Sequence, residues 1–116
     1  MASRFDQAFQ TSALPQLLAE FGEPVVYRFA GGGTRSIDAI IERNPPAIFD
    51  AAGQPLLIEL VIRVYRHQTL GVLSHEINRG SDSVDLRRRV DDATLSRMTV
   101  TRKLSDDSGV IVLALN

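Results

Sequence analysis

Residues 26–37 read VYRFAGGGTRSI, with three consecutive glycines between two apolar segments. Val25 to Phe29, before the glycines, is rich in β-branched and aromatic side chains that favour strands. After the glycines, Ile37, Ala39 and Ile41 alternate with Ser36, Asp38 and Glu42, with Ile40 as an exception, as in a half-buried strand. Because glycine adopts positive φ without steric cost, the stretch predicts a β-hairpin with a glycine turn.

The same glycines do not match a phosphate-binding loop. A P-loop requires the pattern GxxxxGK[ST], preceded by a strand and followed by a helix. Here Thr34-Arg35-Ser36 follows the glycines without a lysine, and the next predicted element is a strand. Without a helix behind the loop, the helix dipole and free amides that bind phosphate are missing. The glycines therefore predict a turn and no nucleotide site.

The rest of the chain predicts one helical segment, four more strands and one long loop. The helical segment covers residues 1–22, has apolar residues at spacings of three and four, and is kinked or divided at Pro15 before it ends at Gly22. The further strands are Leu56 to Arg66, Ser83 to Val90, Arg97 to Leu104 and Val110 to Leu115. Polar turns are predicted at Asp50 to Pro55, Asp91 to Ala93 and Ser105 to Gly109, and residues 67–82 form an aperiodic loop.

This element order predicts a mainly β fold in a single domain, residues 1–116. About six antiparallel strands within residues 23–116 would close into a small barrel or a sandwich, which limits exposed strand edges. The helical segment would cover one mouth or one face. A hydrophobic content of 44% and a charged content of 23% are ordinary for a folded domain.

Charge and composition exclude several classes of function. The net charge of −1 provides no basic field for nucleic acid, and the chain has no cysteine for disulfides or thiolate metal sites. No apolar run reaches the roughly 18 residues that cross a bilayer, so we expect no membrane contact.

Residues that could carry chemistry are not arranged for it. His67, His75 and Glu76 lack the ligand spacing of a zinc site, and Ser74 beside His75 lacks the geometry of a nucleophile with its base. The carboxylate pairs Asp91-Asp92 and Asp106-Asp107 lie in predicted turns. We therefore expect no catalytic residue, no cofactor and no metal, and hence no enzyme.

Two other features have both a structural and a functional interpretation. On a strand, Arg87 and Arg89 would share one face, as a solvated surface or as salt bridges to a neighbouring subunit. The long loop carries apolar residues that either cap one end of the barrel or contact a partner. The candidate partner-binding residues are Leu70, Gly71, Val72, Leu73, His75 and Ile77.

Three segments together resemble the head–tail joining proteins of long-tailed bacteriophages. They are FDQAF…LLAEFGEPVVYRF near the start, SIDAIIER after the glycines, and RRVDDATLSRMTVTRKLSDDSGVIVLAL at the end. The resemblance extends over nearly the whole chain. One departure is Arg79-Gly-Ser-Asp82, where the family has a Gly-Asp turn without the inserted residue.

The resemblance implies a structural virion protein at the head–tail junction, present in the host cytoplasm during assembly. It implies a ring of about six or twelve copies with a closed, head-to-tail interface. The other partners would be portal or adaptor proteins on the head side and tail-terminator or tail-tube proteins on the tail side. Genomic DNA would pass through the ring without sequence-specific binding.

Two alternatives remain open on sequence. One is a tail-terminator or tail-completion protein of similar fold, which would bind at the tail and not at the head. The other is a small ligand-binding or enzymatic β-barrel that uses His67, His75 and Glu76, for which a pocket lined by those three side chains would be required.

Overall fold

The computed structural model describes residues 14–45, 47–107 and 109–116. They form one α-helix, six β-strands and a short 3₁₀-helix at Ser74–Glu76 within the long loop. The elements are α1 (Leu14–Phe21), β1 (Glu23–Arg28), β2 (Thr34–Glu42), β3 (Leu60–Tyr65), β4 (Ser83–Leu86), β5 (Ser96–Asp107) and β6 (Val110–Leu115).

The six strands close into a barrel in the order β1-β2-β3-β6-β5-β4, and every neighbouring pair is antiparallel. The chain is mainly β, as predicted, and the alternative of a two-sheet sandwich is excluded because β4 pairs with β1 to complete the circle. Closure lets the strands pair with each other instead of exposing open sheet edges.

The predicted hairpin is confirmed. Arg28 at the end of β1 pairs with Thr34 at the start of β2, and the glycines form the turn between them. Gly32 and Gly33 have φ values of 107° and 90°, a region that strongly favours glycine. The Phe29 N–H donates to the Gly33 carbonyl over 3.1 Å, which closes the turn.

Buried side chains contributed by all six strands fill the barrel. The fully buried side chains include Tyr27, Ile62, Leu86, Ile111 and Leu113. Met98 and Val100 also face inward, as the alternation in the sequence predicts. The interior is therefore a packed core and not a channel through the subunit.

Helix α1 packs against the outer face of the barrel. Leu18 is buried beside Val110, and Leu17, Ile40 and Tyr65 lie around them. A side chain at Gly22 would overlap the Leu18 carbonyl, so glycine lets the chain turn directly from α1 into β1. The helix thus covers a face of the barrel; the predicted helical residues 1–13 lie outside the described part of the chain.

Two predicted strands are shorter in the structure. The strand expected from Leu56 begins only at Leu60, because Leu56 instead donates its N–H to Ile48 across the Asp50–Pro55 turn. The strand expected to reach Val90 ends at Leu86. Arg87 to Arg89 therefore lie on a connecting loop, and the prediction that they occupy a strand is wrong.

Strand β5, in contrast, is longer than predicted. Pairing with β6 continues to Asp107 opposite Val110, so residues 105–107 belong to the strand and not to the turn. The turn is tight because Gly109 adopts a φ of 87°. Two irregularities in register, between Val100 and Arg102 and between Lys103 and Ser105, bend β5 along its length.

Replacement of Gly71 by alanine is expected to destabilise the barrel by about 2–4 kcal/mol, since the added methyl would overlap the Tyr65 carbonyl oxygen. Gly31 is the matched control, because a methyl group there meets no atom within 4 Å. Urea unfolding of Gly71→Ala and Gly31→Ala measures the difference. Equal stabilities for the two variants would contradict the close approach at Gly71.

Candidate functional site

The long loop, residues 67–82, folds back over one end of the barrel and is anchored at several points. The Val72 N–H donates to the Tyr65 carbonyl over 3.0 Å, so the loop folds back onto the end of β3. The Val72 side chain is fully buried in the core cluster, with Ile77 packed against the same cluster. The loop therefore plugs the end of the barrel.

The six predicted partner-binding residues do not share one surface. Leu70 is 61% exposed, and it is the one large apolar side chain of this set that is mostly exposed. Val72 belongs to the core, so its predicted place at a partner surface is corrected. The remaining four are the buried Gly71, the half-buried Leu73 and Ile77, and the exposed His75.

Arg35 holds the middle of the loop to strand β2. Its guanidinium donates to both Glu76 carboxylate oxygens, over 2.9 and 3.0 Å, and also to the Gly71 carbonyl over 3.0 Å. The same group lies 4.9 Å from the centre of the Phe29 ring, which adds a cation–π contact. The hydrogen bonds from Arg35 lower the pKa of the Glu76 carboxyl below its usual range.

Asp82 holds the end of the loop and is fully buried. Its carboxylate accepts three hydrogen bonds: from the Tyr27 hydroxyl over 2.6 Å, from the Ala30 N–H over 2.7 Å and from the Asn78 N–H over 2.8 Å. These donors supply the polar contacts that a buried carboxylate needs. Burial, reinforced by the bond to Asp82, strongly raises the pKa of Tyr27, so its phenol stays protonated as a donor.

Two of the residues considered for a metal site, His67 and Glu76, are engaged in structural contacts. The His67 ring accepts hydrogen bonds from the loop N–H groups of Thr69 and Leu70. Glu76 is held by Arg35, as described above. In the described ranges, no three His, Asp or Glu residues come together as a possible metal site.

The acidic end of β5 is likewise tied to the long loop. Ser74 donates its hydroxyl to Asp106, and Arg66 donates to the same carboxylate over 3.0 Å. The hydrogen bond from Ser74 lowers the pKa of the Asp106 carboxyl. Ser74 therefore fastens the 3₁₀-helix to β5 and is not paired with a base.

At the opposite end of the barrel, Arg43 links the loop between β2 and β3 to the loop between β4 and β5. It forms a two-pronged ion pair with Glu23 at 2.8 Å and donates to the main-chain carbonyls of Arg87 and Arg88. Arg88 in turn pairs with Glu59 at 2.6 Å. Two arginines of the basic run, Arg87 and Arg88, are thus held by contacts within the chain that the sequence did not predict.

A mainly apolar groove lies between helix α1, strand β2 and the long loop. Its volume is about 350 Å³, near the lower end of the volumes that hold small ligands, about 300–1,000 Å³. Its lining includes Leu18, Ile37, Tyr65 and Leu70, and Asp38 lies at the groove as well. His67, His75 and Glu76 do not line it. No sequence signal indicated the groove, since its walls come from three separate segments.

Comparison with protein-family models and with curated protein sequences finds no match for this chain. In the part of the chain that the structure describes, no helix is long and apolar enough to cross a membrane.

Replacement of Asp82 by asparagine is expected to destabilise the fold by about 3 kcal/mol or more. The asparagine NH₂ group is a donor, and it would face donors that now bind a carboxylate oxygen. Tyr27→Phe removes one of the three donors and should cost about 1.5–3 kcal/mol. Urea unfolding measures both. A smaller loss for Asp82→Asn than for Tyr27→Phe would contradict this account of the loop anchor.

The Arg35–Glu76 pair should make stability depend on pH. The pKa of Glu76 is lowered in the folded state, so its contribution is present at neutral pH and lost as pH falls through the folded-state pKa. At pH 7 we expect Glu76→Gln to cost about 1–3 kcal/mol, and the difference from wild type should shrink as pH falls through the lowered folded-state pKa of Glu76.

Glu59→Gln is the matched control for this prediction. The Arg88–Glu59 pair is about half exposed, so its loss should change stability by about 0.5 kcal/mol or less. Unfolding titrations at several pH values compare the two variants. A Glu76→Gln penalty that stays constant down to low pH would contradict the assignment.

Proposed function

We propose that this chain is a structural virion protein of a tailed phage or prophage, and that it forms a ring joining the DNA-filled head to the tail. The sequence basis is the resemblance described above, which extends from the helix and glycine hairpin to the last strand, β6. The protein would act in the virion and assemble in the host cytoplasm.

The observation that carries the proposal is the display of apolar side chains on the connections of a rigid barrel. Phe49, Leu57, Val90 and Leu95 are exposed on the two loops at one end, and Leu70 is exposed at the other. Exposed apolar residues on firmly held loops are typical of protein–protein contact. A ring subunit needs such contacts on two different parts of its surface.

The proposed partners follow from that role. They are other copies of the chain in a ring of about six or twelve, portal or adaptor proteins towards the head, and tail-terminator or tail-tube proteins towards the tail. A net charge of −1 suits a ring through which DNA must pass, since phosphate binding depends on Lys and Arg. The proposed role includes no catalysis and no cofactor.

A tail-terminator role uses the same argument, because it also requires a ring subunit with apolar loops. The two roles differ in where the protein binds: a joining protein is found on filled heads, whereas a terminator is found on finished tails. The ligand-binding alternative has less support, because Glu76 and His67 are engaged in holding the loop.

Deletion of the gene from its phage should yield DNA-filled heads and complete tails that remain separate, as seen by electron microscopy of the lysate. Purified wild-type protein should restore infectious particles. Protein with Leu70 and Leu73 replaced by serine, and Val72 kept because it is core, should fold but restore few particles. Phe21→Ser, also at an exposed apolar residue, is the control.

Each outcome has a distinct meaning. Normal virions from the deletion phage would refute the proposal. Filled heads with overlong tails would favour the terminator role. Full rescue by the Leu70/Leu73 variant would leave the joining role intact but remove the long loop from the contact.

A further inference from the structure

The apolar groove beside helix α1 carries an unpaired negative charge. Asp38 lies on β2 opposite Pro24, is exposed, and makes no hydrogen bond or ion pair with any residue that the structure describes. Around it lie Leu18, Ile37 and Leu70. The groove thus combines an apolar lining with one carboxylate that has no partner among the described residues, a combination that fits an apolar side chain next to a cation.

The loop between β4 and β5 displays that combination. Val90 is 70% exposed, and Arg89 beside it is exposed with its guanidinium free of any hydrogen bond or ion pair to the described residues. The loop itself is well held, because Asp92 accepts the Arg89 N–H and Arg43 binds the carbonyls just before it. A held loop loses little conformational freedom on binding.

The groove and this loop lie on different parts of the barrel. In the strand order, β5 is three positions from β2 in either direction, and the β4–β5 loop emerges at the end where β2 finishes. Complementary features placed this far apart on one subunit suit contact between two copies and not closure within one.

We propose that a second copy of this chain inserts Val90 into the groove and pairs its Arg89 with Asp38. The contact is heterologous, so each copy offers a loop to one neighbour and a groove to the other, and repetition produces a ring or a filament. This inference rests on the proposed ring function and deepens it, because it names the surfaces through which the copies meet. Arg–carboxylate pairing fixes the orientation of the inserted loop.

The test uses charge reversal at the two positions. Sedimentation equilibrium of wild-type protein, up to about 1 mM because small interfaces bind weakly, should show association that increases with concentration. Asp38→Arg and Arg89→Asp should each weaken the association by about tenfold or more, because like charges then meet. The double variant, which restores opposite charges, should return to within about threefold of wild type.

Mixing provides a sharper test. Asp38→Arg and Arg89→Asp alone should each be mainly monomeric, but an equal mixture should associate, since each groove then meets a loop of opposite charge. Arg102→Asp, which alters an exposed arginine on β5, should associate like wild type. Val90→Ser should weaken association without loss of fold, because Val90 is not part of the core.

Several results would overturn the inference: a wild-type chain that stays monomeric, a mixture that does not associate, or an Arg102→Asp variant as impaired as Arg89→Asp. Failure here is distinct from failure of the proposed function. Separate heads and tails in the deletion phage, combined with no effect of charge reversal, would keep the function and reject this interface. Association that is restored in the double variant, combined with intact virions from the deletion phage, would keep this interface and reject the proposed function.

Discussion

The carboxylate of Asp82 joins parts of the chain that are far apart in sequence. It binds Tyr27 in β1, the main chain of Ala30 at the hairpin turn, and the main chain of Asn78 in the long loop. Its own carbonyl accepts the Val100 N–H of β5. A buried carboxylate without hydrogen-bond donors would be too costly to retain, so the loop, the hairpin and β5 must meet in this one arrangement. The position of the long loop, and hence of its exposed residues, depends on it.

The local pattern of the sequence was enough to predict about six antiparallel strands, but it did not decide between a closed barrel and a sandwich. Glycines between two alternating segments specified the β1–β2 hairpin, and inward residues such as Met98 and Val100 followed from the two-residue period. The wrong predictions concern the ends of strands, which depend on tertiary contacts. Arg87 lies on a loop and not on a strand, where its side chain pairs with Glu23 and its carbonyl accepts a hydrogen bond from Arg43. These partners are more than forty residues away in sequence, so no local pattern could predict them.

The surfaces suited to contact were harder to predict, because they depend on which side chains the fold leaves uncovered. Val72 and Leu70 are both apolar residues of one aperiodic loop, yet the former fills the core and the latter lines the groove. Sequence alone could not separate them, since the loop has no period that fixes which residue points inward. Nor could it show that Asp38 and Arg89 keep unpaired charges while most other arginines of the described chain are paired.

Strand β5 has a consequence for how the free protein behaves at high concentration. β4 pairs with only its first four residues, Ser96–Thr99, so beyond Val100 the described residues provide no further strand on that side of β5. Exposed backbone of this kind is a template for intermolecular β-sheet and aggregation. Here the register irregularities and the charged side chains of Arg102 and Lys103 lie along that stretch. They disfavour the addition of a foreign strand along this side of β5.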